Sequence, residues 1–358
     1  MIFLSLALSI FGLTGNQYDS VRTLGQGSAA VSSIGGFDAA LLNPAGLAHY
    51  KALLGEVLVL SPQALVSPTI FENYKYIKSN YKNFNVQNLI SLANKYQKIN
   101  FYADAQNLTG LFFKNVGLSF LTKATARAYL EADINNPTQT NLLLDATAYE
   151  GGVLSFYHSF LNDQIKIGFN GKILQKTEST VSIIGSNVIS NNQDIKSLLK
   201  NVMSRGQGTG FDIGAQVAFD KNHVFELGGV IKNILMNYPG NIENYPSPSR
   251  DLTTADLGMS ANLRSSKSQL KVSFDYTDVT DSLDEPTFKH INAGAELNFD
   301  NFIGVTGGFH HGAIAFGAFL NLKFVRFELS QDSFELGSYP GSNPVLRYGA
   351  RISAGYLW

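Results

Sequence analysis

The feature that most restricts the fold of this 358-residue chain is an alternation of apolar and polar residues with period two, repeated in stretch after stretch beyond residue 48. Ile165, Ile167, Phe169 and Ile173 alternate with Lys166, Gly168, Asn170 and Lys172. The pattern returns in Phe211, Ile213, Ala215, Val217 and Phe219 against Asp212, Gly214 and Gln216, and in Leu270, Val272, Phe274 and Tyr276 against Lys271, Ser273 and Asp275. Successive side chains of a strand point to opposite faces, so each stretch has one apolar and one polar face. A soluble sandwich satisfies this alternation as well as a membrane barrel does.

Connection lengths separate the two. Strands are expected at 51–60, 101–113, 115–130, 142–160, 165–177, 209–219, 223–233, 251–264, 269–278, 288–299, 302–309, 313–322, 324–331 and 346–358, fourteen in all. Long connections (61–100, 131–141, 178–208, 234–250, 279–287) alternate with short ones (Lys114, 161–164, 220–222, 265–268, Asp300-Asn301). Only His310-His311-Gly312 is short where a long loop is due. An even number of antiparallel strands with tight turns on one rim and long loops on the other is the pattern of a bacterial outer-membrane barrel. A sandwich has no reason to sort its loops this way. Composition agrees, with charged residues at 15% against about 25% in soluble domains and aromatics at 12%. Such a balance suits a protein with an apolar surface to satisfy.

The ends of the chain add two expectations. In the last strand Tyr348, Ala350, Ile352, Ala354, Tyr356 and Trp358 share one face, and Tyr356 and Trp358 fall where an aromatic girdle meets the periplasmic interface. Such a strand resembles the signal read by the outer-membrane assembly machinery. At the other end, residues 1–15 contain the only sustained apolar run, of a length that suits a secretory signal peptide. No Lys or Arg precedes it, and Leu13-Thr14-Gly15 is a poor small-x-small cleavage site, so a buried amino-terminal strand is the alternative.

Residues 16–48 differ from everything after them. Gly25, Gly27, Gly35, Gly36 and Pro44 weaken any helix or strand, while Leu24, Val31, Ile34, Phe37, Leu41, Leu42 and Leu47 are apolar anchors among small residues. The composition suits a compact irregular segment packed inside something larger. The run from Arg22 to Ala30, then Asp38, then Asn43-Pro44-Ala45-Gly46-Leu47-Ala48, resembles the amino-terminal hatch of FadL-type outer-membrane proteins, a superfamily that includes the PorV-like barrels of type IX secretion. The resemblance implies an all-β, fourteen-stranded antiparallel transmembrane barrel over 49–358 with residues 16–48 as a plug in its lumen.

Charges on the inward faces mix both signs without an obvious apolar stripe: Lys166, Lys172, Asp212, Glu226, Asp256, Lys271, Glu296, Arg326, Glu328, Arg347 and Arg351. Buried charges need partners. Arg326 and Glu328 are expected to pair with Arg347 and Arg351 on the neighbouring strand, or with Asp38 of the hatch. A lumen lined in this way is braced by ion pairs around a plug.

Other constellations carry little chemistry. His310-His311 lies in a turn, where adjacent side chains on a strand would diverge, and metal ligands would have to come from elsewhere. Asp275, Asp278, Asp281, Asp284 and Glu285 lack EF-hand spacing and read as a solvated acidic loop. Gly206, Gly208 and Gly210 lead into a strand and cradle no phosphate. With no cysteine, a net charge of −1 and no nucleophile elbow, the chain reads as no enzyme, with no cofactor, no metal and no nucleic-acid partner. In the first long loop, Val86, Leu89, Ile90, Ala93 and Tyr96 fall at helical spacing beside Lys75, Lys78 and Lys82, a lip able to meet lipopolysaccharide or to cap the mouth.

Two functions are implied by the resemblance. In the transporting branch a hydrophobic, fatty-acid-like small molecule is captured outside, held near Phe37, Leu41, Leu42 and Leu47, and released when Asn43, Pro44, Ala45 and Gly46 shift. In the secretion-associated branch the external loops hold a secreted protein partner instead. Leu227 to Asn233 and Val272 to Tyr276 look closer to the latter.

Overall fold

The computed structural model describes residues 17–50, 53–72, 98–131, 141–184, 195–240, 242 and 245–356. The alternating stretches become β1 (Leu54–Leu60), β2 (Pro62–Val66), β3 (Lys98–Phe113), β4 (Val116–Glu131), β5 (Asn141–Phe160), β6 (Ile165–Ile184), β7 (Ser204–Ala218) and β8 (Phe225–Asn237). They continue as β9 (Thr254–Arg264), β10 (Ser268–Tyr276), β11 (Ile291–Phe299), β12 (Ile303–His310), β13 (Ala313–Asn321), β14 (Val325–Glu335) and β15 (Pro344–Tyr356). From β2 onward each strand pairs antiparallel with the next. β1 and β2 each pair with both β3 and β15, so they are two halves of one stave, and the sheet closes as a fourteen-stave barrel. The break falls at Ser61, before Pro62, which has no N–H to give the ladder. Side chains stitch it instead: Ser61 N donates to Asn107 Oδ1 at 2.8 Å, and the Ser61 and Ser353 hydroxyls lie 2.8 Å apart.

The faces are reversed relative to a soluble protein. Leu118, Phe156, Ile173, Leu257, Val305 and Phe316 are 50–56% exposed on the outside, while Ser155, Asn170, Asp212, Gln216 and Asp275 are buried inside. A continuous apolar exterior on a closed barrel is stable only in a bilayer. The chain is an outer-membrane barrel. Its tight rim is built from positive-φ residues such as Asn115 (φ 70) and the Asp300-Asn301 pair (φ 51 and 54), which give hairpin turns their required twist. By the rule for such barrels this rim faces the periplasm.

Strand heights are uneven. β5 and β6 have 20 residues each, whereas β10 to β13 have 8 or 9. A spanning strand needs about 9–11 residues, so the tall staves rise beyond the bilayer. There Gln175, Lys176, Thr177, Glu178, Ser179 and Thr180 follow one another without an apolar face, which is why periodicity ends β6 near 177 and the ladder does not. The 73–97 part of the first long loop with its helical spacing, residues 1–15 and Trp358 lie outside the described residues. Tyr356 sits on the periplasmic rim, 6.2 Å from the Phe324 ring.

Residues 17–50 fill the lumen. They contain helices at Val21–Gly25 and Ala39–Leu42 and a 3₁₀ turn at Pro44–His49, all too short to persist alone. The wall holds them by letting their backbone approach. Three cross-strand glycine pairs face inward: Gly168 with Gly214, Gly228 with Gly258, and Gly294 with Gly308. Asn43-Pro44-Ala45 lies on the first pair, Val31-Ser32 on the second and Gln26-Gly27 on the third, so that a Cβ at five of the six positions would overlap hatch atoms, while one at Gly258 would meet the Asp275 carboxylate that holds the hatch. On the opposite side the wall is apolar. Phe37, Leu41, Leu47 and Tyr50 pack on Leu58, Leu108, Phe112, Leu121, Val153 and Tyr157. This patch corrects the expectation of a wholly polar inner face: these residues lie where strand periodicity alone does not say which apolar face meets lipid and which meets the plug.

Candidate functional site

Among the described residues, cavities lie in the lumen on both sides of the hatch, an outer one and an inner one. The outer one is about 230 Å³ and reaches the loop ends of β8 to β12; the inner one is about 400 Å³ and opens beside the periplasmic turn residues Asn301, Asn321 and Lys323. Thr23 and Ala30 touch both. Between them Leu24 and Ser28 face the outer cavity and Arg22 and Gln26 the inner. The partition is therefore one backbone thick. It is pinned by Asp275 Oδ2, which accepts from Ala30 N at 2.6 Å and Val31 N at 2.8 Å. Gly27 (φ 64) and Ser28 (φ 58) are both left-handed, and the turn they make lays the chain against Gly294 and Gly308.

A buried ionic cluster anchors the other half of the hatch. The register sets Glu328 directly opposite Arg351 and Asp332 opposite Arg347. Arg351 forks onto Asp38 at 2.6 and 2.9 Å, ion-pairs with Glu328 through Nε and donates to the Tyr18 hydroxyl at 3.0 Å. Tyr18 and Ser20 also donate to Asp38. Burial opposes ionisation of Asp38, but the Arg351 guanidinium and these donors outweigh it and hold the carboxyl below its usual value. A lowered folded pKa means that the stabilisation is complete above about pH 4, the unfolded carboxylate range, and is lost as pH falls through the lower folded value. Hydrogen exchange of residues 18–22, corrected for intrinsic rate, should show equal protection at about pH 6 and pH 5 and a loss only at pH values below the ordinary carboxylate range. Protection that stays flat into strong acid would remove Asp38 from the account.

Two solved structures share this arrangement of barrel and plug. The toluene transporter TodX of P. putida aligns over 96% of this chain and 99% of its own, at 9% identity and a TM-score of 0.53. The toluene transporter TbuX of Ralstonia pickettii aligns over 96% and 99%, at 9% identity and a TM-score of 0.55. The chain shares the fold of these two proteins. No family model and no curated protein matches the sequence. At such identity the likeness concerns the fold, and function must be argued from the residues.

Within this barrel the sequence-selected residues divide. Leu41 and Leu42 line the outer cavity. Phe37 and Leu47 line neither; they are 1% and 0% exposed in the hatch–wall core, with the Arg351 guanidinium 5.0 Å from the Phe37 ring. Asn43, Pro44, Ala45 and Gly46 also line neither cavity. The Asn43 side chain accepts from Ala45 N at 3.2 Å and donates to Val31 O at 2.8 Å, a clamp within the hatch. Arg347 pairs with Asp332 and not with Glu328 or Asp38, because Asp332 is the residue across the ladder. Arg326 makes no ion pair among the described residues; its Nε donates to Asn321 Oδ1 at 2.7 Å.

Several pairings around the cavity are not legible in the sequence, and Asp19, Lys123 and Lys232 are not singled out there at all. Lys123 pairs with Asp19, Lys172 with Asp212, and Lys232 with Asp256, each at 2.6 Å, so the outer cavity is ionic but balanced. The 245–253 strap is drawn in by Lys176, which meets Asp251 at 3.0 Å between the Tyr149 and Tyr238 rings. The His310 and His311 rings do not diverge; the turn at His311 (φ 49) stacks them 3.9 Å apart on the outer cavity. The acidic run is dispersed as well, with Asp275 holding the hatch and Asp278 accepting from Leu283 N at 2.8 Å. Among the described residues no three His, Cys, Asp or Glu gather as a metal site.

Proposed function

We propose that this barrel passes small hydrophobic molecules across the outer membrane by displacement of the hatch layer at Thr23 to Ala30. The observation that carries the reading is that this single layer separates two cavities that reach opposite rims. The fold likeness to two toluene transporters supports it. Leu24, Val31, Leu41, Leu42 and Leu252 offer an apolar side to the outer cavity, while paired charges line the rest. A volume of about 230 Å³ falls below the roughly 300–1,000 Å³ of pockets for drug-sized ligands, which favours a compact aromatic body over a long acyl chain.

The chain has no cysteine, so a staple can be introduced cleanly. Ser33 of the hatch and Ser273 of β10 have hydroxyls 3.0 Å apart. In cells carrying Ser33→Cys/Ser273→Cys, uptake of labelled toluene should fall to the level of cells without the protein when oxidised and recover on reduction. Uptake no higher with the wild-type barrel than without it would sink the transport reading, and full uptake by the oxidised form would sink the moving hatch. A second reading, a barrel that holds a secreted protein, draws on the polar extension of β5 and β6 above the bilayer. Retention of one protein partner by a barrel that takes up no toluene would favour it.

A further inference from the structure

Among its lining residues the inner cavity has more positive than negative side chains, and the buried Glu56 carboxylate also acts on Arg326. The lining includes four cationic side chains, Arg22, Lys271, Lys323 and Arg326, against two carboxylates, Asp38 and Glu296. Both carboxylates are already engaged, Glu296 by Arg22 at 2.6 Å and Asp38 by Arg351. Lys271, Lys323 and Arg326 form no ion pair among the described residues: Lys271 donates to Ser33 O at 3.0 Å, Arg326 to Asn321, and Lys323 stands exposed on the turn over the Phe324 ring. In the outer cavity each lining lysine has a carboxylate partner: Lys123 with Asp19 and Asp104, Lys172 with Asp212, Lys232 with Asp256 and Lys289 with Glu285. A half-enclosed cavity lined by several cations that form no ion pair can take an anion, because a carboxylate there gains charge-assisted hydrogen bonds without displacing an existing pair. Asn298 Oδ1, buried with no partner, is an acceptor beside it for a donor on the ligand.

We infer that the inner cavity is an exit-side binding site for small organic carboxylates, with Arg326 and Lys271 holding the acid group and Lys323 drawing it toward the periplasm. The inference rests on the transport reading for the source of the ligand and adds its class: a compact body bearing a carboxylate. The acid group would be bound only after the partition has been crossed, so the site gives passage a direction that the balanced outer cavity does not.

The test is fluorine NMR of fluorobenzoate and of neutral fluorobenzamide with the purified full chain in nonionic detergent, with inorganic phosphate as competitor. Fluorobenzoate is expected to bind about tenfold or more tightly than fluorobenzamide, as one charge-assisted contact would give, with the preference shrinking at high salt. Arg326→Gln should abolish the preference. Lys323→Gln, at an exposed position on the turn, should reduce it about two- to threefold and stands independently of how Arg326→Gln folds. Equal binding of the two probes, an unchanged preference in both variants, or displacement of fluorobenzoate by equimolar phosphate would each overturn the inference. Toluene uptake separates it from its premise: loss of the benzoate preference with uptake intact counts against this site alone, and loss of uptake with the preference intact counts against transport alone.

Discussion

Arg351→Met is expected to unseat the hatch and turn a closed barrel into a conducting one. Arg351 is 2% exposed and carries Asp38 of the hatch and Glu328 of β14 together. Removing it leaves two buried carboxylates facing each other, and truncating one partner of a buried pair costs about 3–5 kcal/mol. That is enough to displace a plug whose helices have no stability of their own. In planar bilayers the variant should show steady porin-like conductance where the wild type is closed, while the heat-dependent gel shift of the barrel persists. Arg351→Lys keeps the charge but loses the fork, so it should flicker between the two behaviours. The triple variant Asp38→Asn/Glu328→Gln/Arg351→Met should close again in part, since a neutral cluster leaves no uncompensated charge. Closed channels with Arg351→Met would mean that glycine docking alone retains the hatch.

Gly294→Val should have an effect of similar size through sterics. A Cβ there would overlap the Gln26 carbonyl, a backbone atom that no rotamer change can move, and the same residue faces Gly308 across the ladder. Overpacking costs about 1–3 kcal/mol where neighbours can shift; here the neighbour is the partition, so the relief is displacement of residues 26–27 from the wall. Conductance and toluene uptake should both rise, with the barrel still assembled. Gly171 of β6 is the control, because a Cβ there meets nothing within 4 Å. Gly171→Ala should leave conductance and uptake unchanged. If Gly294→Val and Gly171→Ala behave alike, the glycine pairs are not what seats the hatch.

How far the chain could be read depends on whether each signal is local. Strand alternation and turn length are properties of neighbouring residues, and they carried the stave count, the sorting of the rims and the outward apolar band. The limits appear where locality fails. The first stave is expected to end at 60, but it continues past Ser61 to Val66, because β3 and β15 hold Pro62–Val66 from both sides although Pro62 breaks its own ladder. Arg347 and Asp332 are fifteen residues apart and meet through register, which one residue of slip would undo. Phe37 and Leu47 read as ligand contacts because apolar residues in an irregular segment have no periodicity to say what they face. Gly168, Gly214, Gly228, Gly258, Gly294 and Gly308 are visible in the sequence as inward small residues, but their pairing across strands, and hence the track on which the hatch lies, is visible only after closure.

The sequence by itself determined that this chain is a lipid-facing barrel with a plug, since period, turn chemistry and the small-residue segment are all encoded within a few residues of one another. Only the tertiary structure decided where the plug is thin, which charges are paired and which are left over in the inner cavity. Those depend on contacts between residues more than 300 positions apart, 313 for Asp38 and Arg351 and 333 for Tyr18 and Arg351, and no local pattern specifies them.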